Sequence, residues 1–167
     1  VLELDEERLW ITIYKEDDQA FDIWHDQIGV PKERIIRMGK DENFWQIGTG
    51  PCGPCSEIHY DRGEEYGTGK GDNIAEEDQR FLEIWNLVFS QYNYTEDGEY
   101  LPLPDKNIDT GMGLERVASI LQGVDSNFET DLLRPMIDFV ENDIGIDYRK
   151  DERTTTAFRV IADHIRS

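Results

Sequence analysis

Read for its hydrophobic and polar positions, the chain opens on a strand. Arg8 to Tyr14 (RLWITIY) is β-branched and aromatic. Asp17 or Asp18 can cap a helix carrying Ala20, Phe21, Ile23, Trp24 and Ile28, and Gly29 stands where that helix stops. Val30-Pro31 breaks the chain, and Arg34 to Met38 (RIIRM) reads as a second short strand. Residues 1–40 therefore read as a small α/β lobe. Gly50 to Cys55 (GPCGPC) reads as a tight turn, Ser56 to Tyr60 (SEIHY) as a strand, and the Gly-rich, acidic 61–78 as a mobile surface loop. Arg80 to Tyr94 is the longest apolar stretch and predicts a long, mostly buried strand. Phe81, Glu83, Trp85, Leu87 and Phe89 would face one way; Leu82, Ile84, Asn86 and Val88 would face the other. Glu83 and Asn86 then fall on opposite faces unless a bulge intervenes. Asp97-Gly98 makes a turn, and Pro102 and Pro104 confine Tyr100 to Leu103 to an edge or a loop.

Asn107 to Gly123 (NIDTGMGLERVASILQG) is the stretch that organises the rest. An extended piece ends at Asp109, a glycine turn follows over Gly111-Met112-Gly113, and an amphipathic helix carries Leu114, Val117, Ala118 and Leu121. Hairpin-like connections among SEIHY, FLEIWNLVFSQYN and the piece ending at Asp109 predict an antiparallel sheet. Ser126-x-x-Glu129 has the form of a capping box for a helix through Leu132, Leu133, Met136, Ile137 and Val140, with Pro135 allowing a later start and Gly145 near its end. A last helix covers 155–167, with Phe158, Ile161, Ala162 and Ile165 on one side. The class is α+β.

Composition narrows the partners. The 167 residues are 38% hydrophobic and 11% aromatic, which argues for a folded core. No apolar run is long enough to span a membrane and no signal-peptide pattern occurs, so the expected location is the cytosol. The formal charge is −20, from 37 acids against 17 Lys and Arg, which works against general binding of nucleic acid by this chain.

The organising stretch has a chemical use. Its glycines let another molecule approach the backbone. The helix N-terminus and the Arg116 fork suit phosphate, and the Asp109 carboxylate suits an ammonium. A connector with no ligand has the same pattern. Ile108 to Gly111 also matches the aspartic-protease signature, but no second Asp-Thr-Gly or Asp-Ser-Gly occurs and the segment runs into a helix. Cys52 and Cys55 form Cys-x-x-Cys; with no second Cys pair and scattered histidines (His25, His59, His164), a reduced pair is expected rather than zinc. Gly48, Gly50 and Gly53 fit Gly-x-Gly-x-x-Gly, yet a strand follows where a dinucleotide fingerprint needs a helix. Trp45 could wall a pocket, although its pattern alone favours a core position. Glu83, buried in a strand, needs a cation or an arginine.

Together NFWQIGTGPCGPCSEIHYDRG, EIWNLVFSQYN, LPLPDKNIDTGMGLERVASILQ and SNFETDLLRPMI resemble the catalytic region of the alanyl-tRNA synthetase family, class II enzymes, over nearly the whole chain. The resemblance implies the C-terminal part of the class II antiparallel sheet over 41–124, flanked by helices, with 125–167 opening a helical region. It implies activation of alanine with ATP to alanyl-adenylate and transfer to the 3′ end of tRNA(Ala). GMGLER would be motif 3, with Arg116 on the ATP phosphates and Gly113 beside them. Asp109 would take the alanine ammonium, and Gly111 would let substrate lie on the backbone. Trp45 and Val88 would wall the methyl pocket, and Asn86 would lie near the substrate. Magnesium would accompany ATP, with Glu83 and then Asn86 as its ligands. Motifs 1 and 2 would lie upstream of Val1 and most tRNA-recognising helices beyond Ser167, so the isolated chain is expected not to charge tRNA. The family's zinc belongs to its editing region, so none is expected at Cys52 and Cys55. The competing reading is a non-catalytic binding module of the same fold.

Overall fold

The computed structural model describes residues 2–69, 74 and 79–166. Much of the acidic loop expected over 61–78 lies outside them. The chain divides into two compact units, Val1–Gly113 and Leu114–Ser167.

The first unit begins with β1 (Leu9–Tyr14), then α1 (Asp18–Asp22), β2 (Ile35–Met38), the single turn α2 (Lys40–Asn43) and the short β3 (Phe44–Trp45). Three long strands follow: β4 (Gly50–Asp61), β5 (Phe81–Tyr94) and β6 (Tyr100–Met112). They form a mixed sheet in the order β2-β1-β4-β5-β6, with β3 added beside β4. β1 and β2 are parallel; the other pairings are antiparallel. The residues of the expected N-terminal lobe thus build one end of this common sheet.

Asp17 caps α1, its carboxylate accepting from the Ala20 N–H at 2.9 Å. The helix continues through wider turns over Ile23–Ile28 and stops at Gly29, whose φ of 88° is easy only for glycine. It lies on one face of the sheet. Ile11, Ile13, Ala20 and Ile35 form the core there, with Phe21, Trp24, Ile58 and Phe89 packed around them. Trp24 Nε1 donates to Ser56 Oγ at 2.8 Å, which donates on to the Thr12 carbonyl at 2.9 Å.

Two expected turns are strand. The Gly-Pro-Cys stretch belongs to β4, where Phe44 pairs with Pro54 and Trp45 with Gly53. A register shift between Cys52 and Cys55 absorbs the proline that cannot donate. Gly53 is required by close approach: a Cβ there would sit 1.9 Å from the Phe89 carbonyl oxygen. Gly111 and Met112 likewise stay in β6, paired with Asn86 and Trp85 because β5 reaches far enough to hold them. Gly113 alone separates strand from helix, its N–H donating to the Ile84 carbonyl at 3.0 Å. β6 is an edge, as its two prolines require.

The second unit holds α3 (Leu114–Gln122), α4 (Arg134–Ile144) and α5 (Glu152–Arg166). Its core is Ile137, Tyr148, Phe158 and Ala162, with Phe128, Met136 and Val140 around them. The expected capping box does not form. Glu129 is drawn to Arg134 and Arg149, each at 3.2 Å, and Ser126 Oγ is buried with no partner among the described residues. The helix therefore starts at Arg134, with Pro135 in its first turn, and ends at Gly145. Among the described residues no helix is long and apolar enough to cross a membrane.

Replacing Gly53 by Ala forces β4 away from β5 and should destabilise the fold by about 3 kcal/mol or more. Urea unfolding with an unchanged slope and a lower midpoint checks it.

Candidate active site

A register shift makes the second face of the sheet. Ile58 pairs with Trp85, but the next residue, His59, pairs with Glu83, so Ile84 is an extra residue on β5. The bulge reverses the alternation beyond it. Glu83 opposite His59 and Asn86 opposite Glu57 consequently share one face, which straight alternation had assigned to opposite faces. Val88 continues that face, opposite Cys55 on one side and Asp109 on the other, and Asn86 lies opposite Gly111. One face is thus apolar and covered by α1, while the other carries amide, carboxylate and imidazole.

A pocket of about 360 Å³ opens on this polar face, lined by Trp45, Asn86, Val88, Ser90, Asp109, Thr110 and Gly111. Five of the seven are residues expected at the alanine site. Trp45 walls the pocket from β3 and is 41% exposed, so it is not the core tryptophan its pattern favoured. Asp109 is exposed on the edge strand. A Cβ on Gly111 would meet no atom within 4 Å, and its φ is unremarkable, so neither packing nor backbone demands glycine there. Ser90 and Thr110 escaped the sequence reading, although Ser90 follows Val88 by two residues and so shares its face. Thr110 Oγ1 accepts from Trp85 Nε1. Arg116 stands in the first turn of α3, at the start of the second unit, and Gly113 is the last residue of the first.

Beneath the pocket lies a polar network that sequence reasoning also missed. Glu57 accepts from Asn86 Nδ2 at 3.1 Å, from His59 Nε2 at 3.1 Å and from Thr12 Oγ1 at 3.3 Å. Asn43, fully buried, donates to Thr12 Oγ1 at 2.9 Å and to the Cys55 carbonyl at 3.2 Å. The alternation of SEIHY put Glu57 and His59 on one face; nothing in it showed that Asn86 would lie across from them.

Cys52 and Cys55 are unbridged and buried. Burial, then the negative charge of Glu57 and Glu83, pushes the Cys55 thiol up to about 12. Burial also raises Cys52. These thiols are poor nucleophiles and poor metal ligands, since both roles need the thiolate. Among the described residues no group of three or more His, Cys, Asp or Glu is arranged to hold a metal.

Comparison with known proteins settles the family. The model of the tRNA synthetases class II (A) matches residues 1–167. The chain belongs to the class II (A) tRNA synthetases. It is 54% identical to an alanine–tRNA ligase of Acetivibrio thermocellus, 58% to one of Carboxydothermus hydrogenoformans and 56% to one of Thermoanaerobacter sp., in each case over 99% of this chain. It spans 19% of the length of these relatives. The mostly antiparallel sheet with helices is the architecture expected of a class II (A) catalytic region, and the pocket lies on that sheet's polar face.

The raised thiols have a measurable consequence. At pH 8 a thiol-specific colorimetric reagent should label the folded chain about 100-fold more slowly than the chain in denaturant. Burial of Cys55 stabilises the fold fully below its ordinary value of 9.0, and that contribution is lost as pH rises toward about 12. Stability measured by denaturant titration should therefore fall across that window, and a Cys55→Ala variant should lose this part of the fall.

Proposed function

We propose that these residues form part of an alanine–tRNA ligase, which activates alanine with ATP and transfers it to the 3′ end of tRNA(Ala). Because the chain spans 19% of its relatives' length, the activity is proposed for the whole protein. The observation that carries the reading is the convergence of Asp109, Asn86, Val88 and Trp45 on one pocket. Asp109 offers a carboxylate to the alanine ammonium, while Val88 and Trp45 offer apolar surface to its methyl group. Gly111 leaves open space for substrate against the strand.

In the first step an alanine carboxylate oxygen attacks the α-phosphorus of ATP, and pyrophosphate leaves. In the second a terminal ribose hydroxyl of the tRNA attacks the activated carbonyl, and AMP leaves. Neither step needs a nucleophilic side chain; positioning and charge stabilisation carry both. Arg116, with Gly113, is assigned to the ATP phosphates on the sequence pattern of motif 3. Magnesium screens the triphosphate charge in such reactions and binds through one or two protein oxygens. Glu83 and Asn86 are assigned to that need, because the bulge puts both on the polar face. With a charge of −20, the chain leaves most tRNA contact to other parts of the protein, and a cytoplasmic location belongs to the same reading.

The pocket discriminates weakly against close analogues. Glycine lacks one methyl and serine adds one hydroxyl, differences that yield only about 10- to 200-fold. Alanine-dependent ATP–pyrophosphate exchange by the full-length protein tests the reading. Asp109→Ala should lower kcat/KM for alanine by about 100-fold or more, since a charge-assisted hydrogen bond is lost. Exchange with no amino acid, from a folded protein, would replace the enzyme by a binding module.

Gly111→Ala provides an independent check. The new methyl has room in the free protein and should leave stability within about 0.5 kcal/mol. It occupies substrate space, so KM for alanine should rise by about tenfold.

A further inference from the structure

Ser90 lines the pocket, yet the proposed reaction with alanine gives it no task. The pairing of β5 with β6 runs unbroken from Trp85 to Ser90, so Ser90 shares the face of Asn86 and Val88. The residue is 9% exposed. Its hydroxyl makes no hydrogen bond among the described residues, and it is not one of the unpartnered atoms sealed from solvent. The hydroxyl is therefore reached from the pocket, whereas Asn86 Oδ1 is shut off from it. Its neighbours are the two apolar walls. Val88 precedes it by two residues on β5. Trp45 stands across Gly53, and Gly53 lies against the carbonyl of Phe89, the residue before Ser90. Glycine puts no side chain between the tryptophan and β5, so the hydroxyl opens beside Val88 and Trp45 together.

We propose that Ser90 is a specificity-determining residue, whose hydroxyl bonds the side-chain hydroxyl of a β-hydroxy amino acid and so lets serine into the alanine pocket. The inference rests on the reading of this pocket as the amino-acid site. With the ammonium on Asp109 and the β-carbon against Val88 and Trp45, the one atom that serine adds projects among the walls that Ser90 joins. A hydroxyl donates once and accepts twice, so Ser90 can serve a second hydroxyl in either sense. At about 360 Å³ the pocket is much larger than alanine's six heavy atoms need, so the added atom meets no steric bar. Against alanine the same hydroxyl faces a methyl and gives up water without return. The pocket thus carries a polar group that its apolar substrate does not use and a close analogue does. The substrate ammonium is the competing partner for this oxygen, and the choice of substrates separates the two.

The experiment is steady-state ATP–pyrophosphate exchange by the full-length protein, wild type beside Ser90→Ala, with alanine, serine and 2-aminobutyrate. The last carries a methyl where serine carries its hydroxyl, at nearly the same size, so the pair separates hydrogen bonding from volume. In the wild type kcat/KM for serine should exceed that for 2-aminobutyrate by about fivefold or more, whereas a wholly apolar wall favours the methyl. Ser90→Ala should lower the ratio of serine to 2-aminobutyrate by about tenfold, the worth of one hydrogen bond, and raise the ratio of alanine to serine by a similar factor. A merely structural role, or a bond to the ammonium, would shift all three substrates together and leave both ratios alone. Either unaltered ratio in a folded Ser90→Ala overturns the proposal. Should that variant fail to fold, the wild type decides alone: a preference for serine over 2-aminobutyrate supports the assignment, and equality or the reverse order overturns it. Absence of alanine-dependent exchange in the wild type would instead remove the amino-acid site itself.

Discussion

β4 and β5 run antiparallel through the middle of the sheet, and each of the other strands is placed by one of them or through β1. β1 and β3 are laid on β4, and β6 is laid on β5. The single extra residue at Ile84 then decides what that ladder can do. Without it, Glu83 would turn toward the apolar face that α1 covers, where an unpaired carboxylate costs several kcal/mol. With it, the apolar side keeps an uninterrupted core and the acids and amides gather on the other side. The bulge is anchored as well as placed, since the Ile84 carbonyl takes the Gly113 N–H at 3.0 Å. The irregularity that sorts the two faces therefore also marks the end of β6.

What the sequence disclosed follows from what alternation can encode. β1, α1, β2, β5 and α5 were legible because their apolar residues recur at strand or helix period, and the edge position of β6 was legible from its prolines. The family was legible because long motifs, not single residues, carried it. The bulge was legible only as an alternative that the opposed Glu83 and Asn86 left open; its presence and place were not, because an inserted residue looks like any other member of an apolar run. GPCGPC misled for a related reason. Glycine and proline are the commonest turn formers, and only the closeness of Phe89 explains why Gly53 is held flat in a strand. Ser126 and Glu129 had the spacing of a capping box, but Arg134 and Arg149 compete for the glutamate, and such competition depends on the tertiary fold. Glu57 was invisible for the deepest reason: its importance lies in partners that come from three different strands.

The network around Glu57 is costly to assemble. Burying a carboxylate, an imidazole, a hydroxyl and two amides loses their hydration, and a partly satisfied network is worse than an apolar one. Here most donors are matched, yet among the described residues Asn43 Oδ1, His59 Nδ1 and Asn86 Oδ1 go unpartnered. A sheet selected only for stability would fill these positions with branched apolar residues, as it does on the α1 side. Polar groups retained in a network that reaches the pocket through Asn86 argue that orientation, rather than stability, is what these residues supply.

The charge on this face sets the terms on which substrates can meet. Glu57, Glu83 and Asp109 all lie on it, in a chain whose formal charge is −20. Such a surface attracts an ammonium and repels a triphosphate, and in a partly desolvated pocket neither effect is small. An amino acid is well received at its positive end and poorly at the carboxylate that must react. Bringing that carboxylate against ATP requires positive charge from elsewhere, which Arg116 and a divalent ion provide in this reading. The division is economical. On the proposed function, the fixed acids on the sheet suit the amino group, and cations supplied from elsewhere suit the nucleotide.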